Sequence, residues 1–131
     1  MDCGIQNYNL EIGSTTHDGT EPYAFRVHGG TRIWTRNGRI TITENATNAA
    51  HRPFWISGVD GFDCQNVRVS PTTSGGYIRV DDGPKGWVDG VVFDNFEMGP
   101  HNKSGHGLIK ITGIAGSVVV KNSKLHVGSG Q

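Results

Sequence analysis

Three carboxylates stand in turn-like segments of this sequence. Asp60 lies in Val59-Asp60-Gly61, and Asp81 and Asp82 lie in Val80-Asp81-Asp82-Gly83. Paired carboxylates can divide the work at a glycosidic bond, one protonating the leaving oxygen while the other activates a water. His106 stands in Gly105-His106-Gly107. The same oxygens would suit Ca²⁺, a hard cation, and the residues call for no other cofactor. Asp-Asp-Gly is equally an ordinary turn sequence. His17, His28, His51 and His101 complete the histidines, apart from His126 near the end of the chain. None makes a ligand spacing of known kind, so no metal site is expected from them. Trp34, Trp55 and Trp87 offer a different chemistry, since an outward aromatic ring stacks on a sugar or packs on another chain.

What positions these residues is a repeat. Asn7, Asn37, Asn66, Asn95 and Asn122 recur at intervals of 30, 29, 29 and 27 residues. Three residues after each stand Leu10, Ile40, Val69, Met98 and Leu125; two before stand Ile5, Thr35, Cys64, Phe93 and Val120. Four before stand Cys3, Ile33, Phe62, Val91 and Val118, and five after stand Ile12, Ile42, Pro71, Pro100 and Val127. Polar residues fill the columns between. Alternation of period two marks strands with one buried face. The Asn breaks the alternation at an inward place, which a strand–corner–strand geometry explains, because Asn tolerates the bent backbone of a corner. Stacked at ~4.8 Å, the Asn amides are expected to bond into a buried ladder.

A further strand precedes each unit: Phe25–Val27, Phe54–Ile56, Ile78–Val80 and Ile109–Ile111. Several short strands per period near 30, with no helical periodicity, predict an all-β fold. The specific expectation is a right-handed parallel β-helix of about 4–5 coils of 27–30 residues, with an Asn ladder, over residues 1–131 as a single domain. Function is then expected where repeats differ. One set of loops is 13–23, 43–53, 72–76 and 101–107, and the other is 29–32, 57–61, 81–90 and 113–116, the third of which is longest. Asn45-Ala46-Thr47 and Asn102-Lys103-Ser104 in the first set are glycosylation sequons.

Composition narrows the partners. The net charge is zero, with 12 Lys and Arg against 12 Asp and Glu, and charged residues make up 18%. That balance points away from nucleic acid and from an anionic membrane surface. No apolar run approaches the ~20 residues that span a bilayer, and Met1-Asp2-Cys3-Gly4 does not read as a signal peptide. Cys3 and Cys64 sit two repeats apart, beyond the reach of an unstrained disulfide, and both read as small buried hydrophobes.

The segments Val59-Asp60-Gly61-Phe62-Asp63, Asp81-Asp82 and Gly105-His106-Gly107-Leu108-Ile109 resemble the N-T-D-G, D-D and G-H-G motifs of the polygalacturonase family of glycoside hydrolases. The resemblance implies a right-handed β-helix with Asp60, Asp81 and Asp82 as catalytic carboxylates supported by His106. Gly58-Val59 stands in place of N-T, and the family's fourth motif, R-I-K, is absent from its usual place, Ile109-Lys110 following the histidine almost at once. More broadly the chain resembles the pectate-lyase-like β-helix superfamily, which holds both tailspikes and polysaccharide-degrading enzymes. The expected function is a structural and carbohydrate-recognition module of a virion appendage (tailspike-like) or secreted surface protein. Its partners would be polysaccharide or other subunits of one assembly, as in a homotrimer, outside the cell or on the virion surface. The alternative is a polysaccharide hydrolase or lyase built on the carboxylates.

Overall fold

The computed structural model describes residues 2–12, 23–42, 52–70, 78–101, 109–113 and 115–127. Among the described residues every regular element but one is a strand: β1 (Cys3–Ile12), β2 (Tyr23–His28), β3 (Thr31–Ile42), β4 (Arg52–Ser57), β5 (Asp60–Ser70), β6 (Ile78–Asp81), β7 (Asp89–His101), β8 (Ile109–Thr112), β9 (Val118–Lys121) and β10 (Lys124–Val127). The exception is one 3-10 turn at Gly83–Lys85. Among the described residues no helix is long and apolar enough to cross a membrane.

The strands form two parallel sheets. The first runs β1-β3-β5-β7-β10, with β9 also on β7; the second runs β2-β4-β6-β8. Strands pair with their counterparts one period later, mostly in the register the columns predict: Cys3 with Ile33, Ile33 with Phe62, Phe62 with Val91, and Val91 with Val118. The exception is β10, where Leu125 pairs with Met98 as expected but Val127 pairs with His101 and not Pro100. Both sheets contribute to one apolar core. Phe54 of β4 stacks on Phe25 at 5.3 Å between ring centroids. Phe62 and Phe93 of the first sheet each reach Phe54 at 6.0 Å.

The Asn column differs from expectation in where it points. All five have left-handed backbone, with φ of 50–55°, but their side chains are exposed, not buried. The physical reason is parity. A left-handed residue within a strand puts two successive side chains on one face, so the inward positions shift from two residues before the Asn to one after it. Val67 and Phe96 are buried there, and Tyr8 is partly so. Asn37 donates Nδ2 to Oδ1 of Asn7 at 3.4 Å, Asn66 to Asn37 at 2.9 Å, and Asn95 to Asn66 at 3.3 Å. Asn122 leaves the ladder and donates instead to Asp94 at 3.0 Å.

Cys64 is buried but Cys3 is exposed, and both are free. Cys3 occupies an inward column, yet β1 has a paired neighbour on one side only. The same position explains exposed Ile5 on β1 and Ile111, Val120 and Leu125 on β8, β9 and β10.

The links between sheets carry the irregularity. Gly29 donates to Ser57 at 2.7 Å and Gly58 to Asp81 at 2.9 Å, while Asp89 donates to Val59 at 3.0 Å. Residues 82–87 therefore stand where the preceding repeat has Gly58 alone. The excess loops outward through the 3-10 turn and ends on Gly86, whose φ of 76° suits a residue without Cβ.

Candidate functional site

Asp60 opens β5 in register with Thr31 and Asp89. Asp81 closes β6 in register with Ser57. The corner Gly58-Val59 separates those two positions, so Asp60 belongs to the first sheet and Asp81 to the second.

Asp81 is buried and its oxygens are occupied. Ser57 Oγ donates to Oδ1 at 2.5 Å, and Trp55 Nε1 and Arg79 Nε each donate to Oδ2 at 2.8 Å. Burial pushes its pKa up, but the three donors and the Arg79 charge outweigh this and hold the carboxyl below its ordinary range. Asp82 precedes the 3-10 turn, and its carboxylate crowds the place where a Cβ on Gly113 would stand. His106 lies outside the described residues, as do His17, His51, Asn45 and Asn102. Among the described residues no three His, Cys, Asp or Glu come together to hold a metal.

The tryptophans take three different settings. Trp55 projects from β4 between Arg26 of β2 and Arg79 of β6, its register neighbours. Their guanidinium carbons lie 4.2 and 4.5 Å from its ring centroid. His28 meets the ring edge-on at 4.6 Å. This is an aromatic ring already stacked by cations and tethered through Nε1. Trp87 is 41% exposed on the looped-out link, with Lys85 Nζ 5.9 Å from its ring.

Trp34 lines a groove of about 280 Å³ on the outer face of the first sheet, together with Asp2, Arg32, Arg36, Asp63 and the rim of Phe62. Its neighbour in register on β1 is Gly4. Any Cβ on Gly4 would collide with the indole, so glycine lets the ring lie against the β1 backbone. Arg36 covers the ring at 4.8 Å. Arg36 Nη2 stands 3.7 Å from Asp63 Oδ2, which also accepts Gln65 Nε2 at 3.0 Å. Arg36 Nε is buried without a hydrogen-bond partner among the described residues, an arrangement that costs free energy until something accepts from it. Arg32 Nη2 stands 3.5 Å from Asp2 Oδ2.

Arg32 has a second peculiarity. Its φ is 56°, and apart from the five Asn it is the one non-glycine among the described residues with positive φ. In the next two repeats the matching positions are Gly61 and Gly90, with φ of 93° and 64°. The fold asks for a left-handed residue here, and glycine supplies it without the penalty of a Cβ. Of these three positions, all of which line the groove, only the first carries a side chain, and there an arginine bears the strain. Strained backbone of this kind clusters at ligand-contacting positions.

The groove holds one residue the sequence singled out, Trp34, and adds Arg32, Arg36 and Asp63. A signal for them existed. Trp34 and Asp63 occupy the same outward column one period apart, and Arg36 lies two residues from Trp34. No protein-family model matches the chain, and no curated protein or solved structure matches it.

Proposed function

We propose that the chain is a right-handed parallel β-helix module that recognises carbohydrate through the Trp34 groove. It would serve at the surface of a virion appendage or a secreted protein, and pack side by side with other copies as a homotrimer. The two parallel sheets, with most strands in register with their counterparts one period on, support the β-helix, and the right hand follows the general preference of parallel crossovers.

The observation that carries the binding reading is Arg32 in left-handed backbone at a position where the following repeats use Gly61 and Gly90. Around it stand the parts a sugar site needs: an aromatic edge at Trp34, donors at Arg32 and Arg36, and an acceptor at Asp63. The donor and acceptor at Arg36 and Asp63 suit neighbouring hydroxyls of one ring. A sugar at Trp55 would have to displace Arg26 or Arg79 from its ring, as one at the face of Trp34 would have to displace Arg36. Polysaccharide cleavage by Asp60, Asp81, Asp82 and His106 is the weaker reading, since Asp81 already receives three donors.

The test is a glycan array, followed by titration calorimetry of the best hit against wild type, Trp34→Ala and Asp63→Asn. Loss of binding in both variants, with urea midpoints retained, is the expected result. Binding that survives both substitutions, or no hit on a broad array, removes the proposal.

A further inference from the structure

The outer face of the first sheet carries a second hollow, of about 230 Å³, lined by Arg39, Arg68, Val69, Ser70, Glu97 and Gly99. Arg39 on β3 and Arg68 on β5 are direct register partners. Like charges facing each other across a strand pair destabilise a sheet, and nothing local neutralises this one fully. Glu97 Oε2 reaches Arg68 Nε at 3.7 Å, but Glu97 also receives His126 Nε2 at 3.1 Å. Among the described residues Arg39 has no carboxylate partner. The segment 23–42 holds Arg26, Arg32, Arg36 and Arg39 and no Asp or Glu. Arg32 and Arg36 are paired with Asp2 and Asp63, whereas the carboxylate that shares the hollow with Arg39 is Glu97, which Arg68 and His126 already engage.

We propose that Arg39, Arg68 and Ser70 form a binding site for a tetrahedral oxyanion ester, sulfate or phosphate, carried on a polymer. Two guanidinium groups on adjacent strands present forks to separate oxygens of one anion, and such charge-assisted bonds are the strong ones. A planar carboxylate is satisfied by a single guanidinium fork; a tetrahedral group has oxygens for both arginines and for the Ser70 hydroxyl. The anion would cancel the repulsion that the register imposes. The site lies on the strand segment after the Asn, whereas Trp34 lies before it, and it stands on observations separate from the carbohydrate groove.

The experiment is affinity electrophoresis at low salt through gels containing dextran sulfate, neutral dextran or polygalacturonate, with inorganic sulfate and inorganic phosphate as competitors. Wild type should be retarded by dextran sulfate and not by neutral dextran. Arg39→Gln and Arg68→Gln should each weaken retardation about tenfold, with Ser70→Ala weaker in effect and Lys121→Gln without effect. The more effective competitor distinguishes a sulfate from a phosphate source. Arg39→Gln should also keep or raise the urea midpoint, because it removes a like-charge pair. Equal retardation by polygalacturonate overturns the tetrahedral preference. Equal loss in Lys121→Gln, or none in the arginine variants, overturns the site.

Discussion

Asn66 donates its side-chain amide to Asn37 at 2.9 Å, from backbone that only glycine and a few polar residues enter readily. The two properties are separable by substitution. Asn66→Ala keeps a Cβ in the left-handed region and removes two ladder bonds, the one to Asn37 and the one received from Asn95. The strain costs about 1–2 kcal/mol, and the bonds, being exposed, about 0.5 kcal/mol each. Asn66→Gly removes the bonds but relieves the backbone. Urea unfolding should therefore rank wild type above Asn66→Gly above Asn66→Ala. If alanine proved the milder change, the left-handed backbone would not be what selects asparagine here.

Tyr8 shows how one repeat borrows space from the next. Its ring leans over Gly38, its register partner, where any Cβ would collide with it. Thr35 Oγ1 donates to its hydroxyl at 2.6 Å. Burial pushes the phenol up to about 12, against the lowering effect of that bond. A raised acid pKa means the folded state holds its proton longer than the unfolded state. The associated stability is complete below about pH 10, the ordinary tyrosine value, and is lost as pH rises towards 12. Ultraviolet titration of the folded protein should show one tyrosine ionising late. Gly38→Ala should bring that tyrosine back towards its ordinary value, because the ring must swing outward to admit the methyl group. An unchanged titration would mean the ring and Gly38 are not in contact.

Asp81 ties Trp55, Ser57 and Arg79 across two strands of the second sheet. Its carboxyl is held below the ordinary range, so the stability it contributes is present above about pH 4, the unfolded aspartate value, and is lost as pH falls through the folded value. Asp81→Asn should cost about 2–3 kcal/mol at pH 7, since a buried charged acceptor is lost and Ser57 and Arg79 keep their donors. The discriminating measurement is the pH dependence. Wild type should lose part of its margin over Asp81→Asn on going from pH 7 to pH 3. A constant difference would mean the carboxylate charge contributes nothing.

The repeat was legible because burial and register act on every copy of a column. Ile33, Phe62 and Val91 had to be alike, and the pairing Ile33–Phe62–Val91 follows from counting. The column after the Asn was not legible. It holds Tyr8, Gly38, Val67, Phe96 and Ser123, a mixture that hides its inward direction, because Tyr8 fills what Gly38 vacates. Reading the Asn as inward followed from missing this column. The surroundings of Asp81 were hidden for a related reason. Asp81 looks like Asp60 in a turn motif, but the neighbours that saturate it, Trp55 and Ser57, are about one period away. The groove was half legible: Trp34 by type, Arg32 only through backbone angles that the sequence expresses as the contrast with Gly61 and Gly90.

That contrast gives the most direct test of what the groove is for. An arginine at φ 56° costs about 1–2 kcal/mol relative to relaxed backbone. Glycine would remove this cost, at about 0.5–1 kcal/mol of extra unfolded-state entropy. The ion pair with Asp2 is exposed at both partners, with 75% and 56% of the side-chain surfaces accessible, and offsets little. Arg32→Gly should therefore leave stability unchanged or raise it by up to about 1 kcal/mol, while weakening glycan binding at the Trp34 groove. Arg32→Ala should be less stable than Arg32→Gly and bind no better. Stability gained together with binding lost is the signature of strain kept for a ligand. If Arg32→Gly instead unfolded more easily than wild type, the arginine would be there for the fold, and the groove would lose the observation on which its function rests.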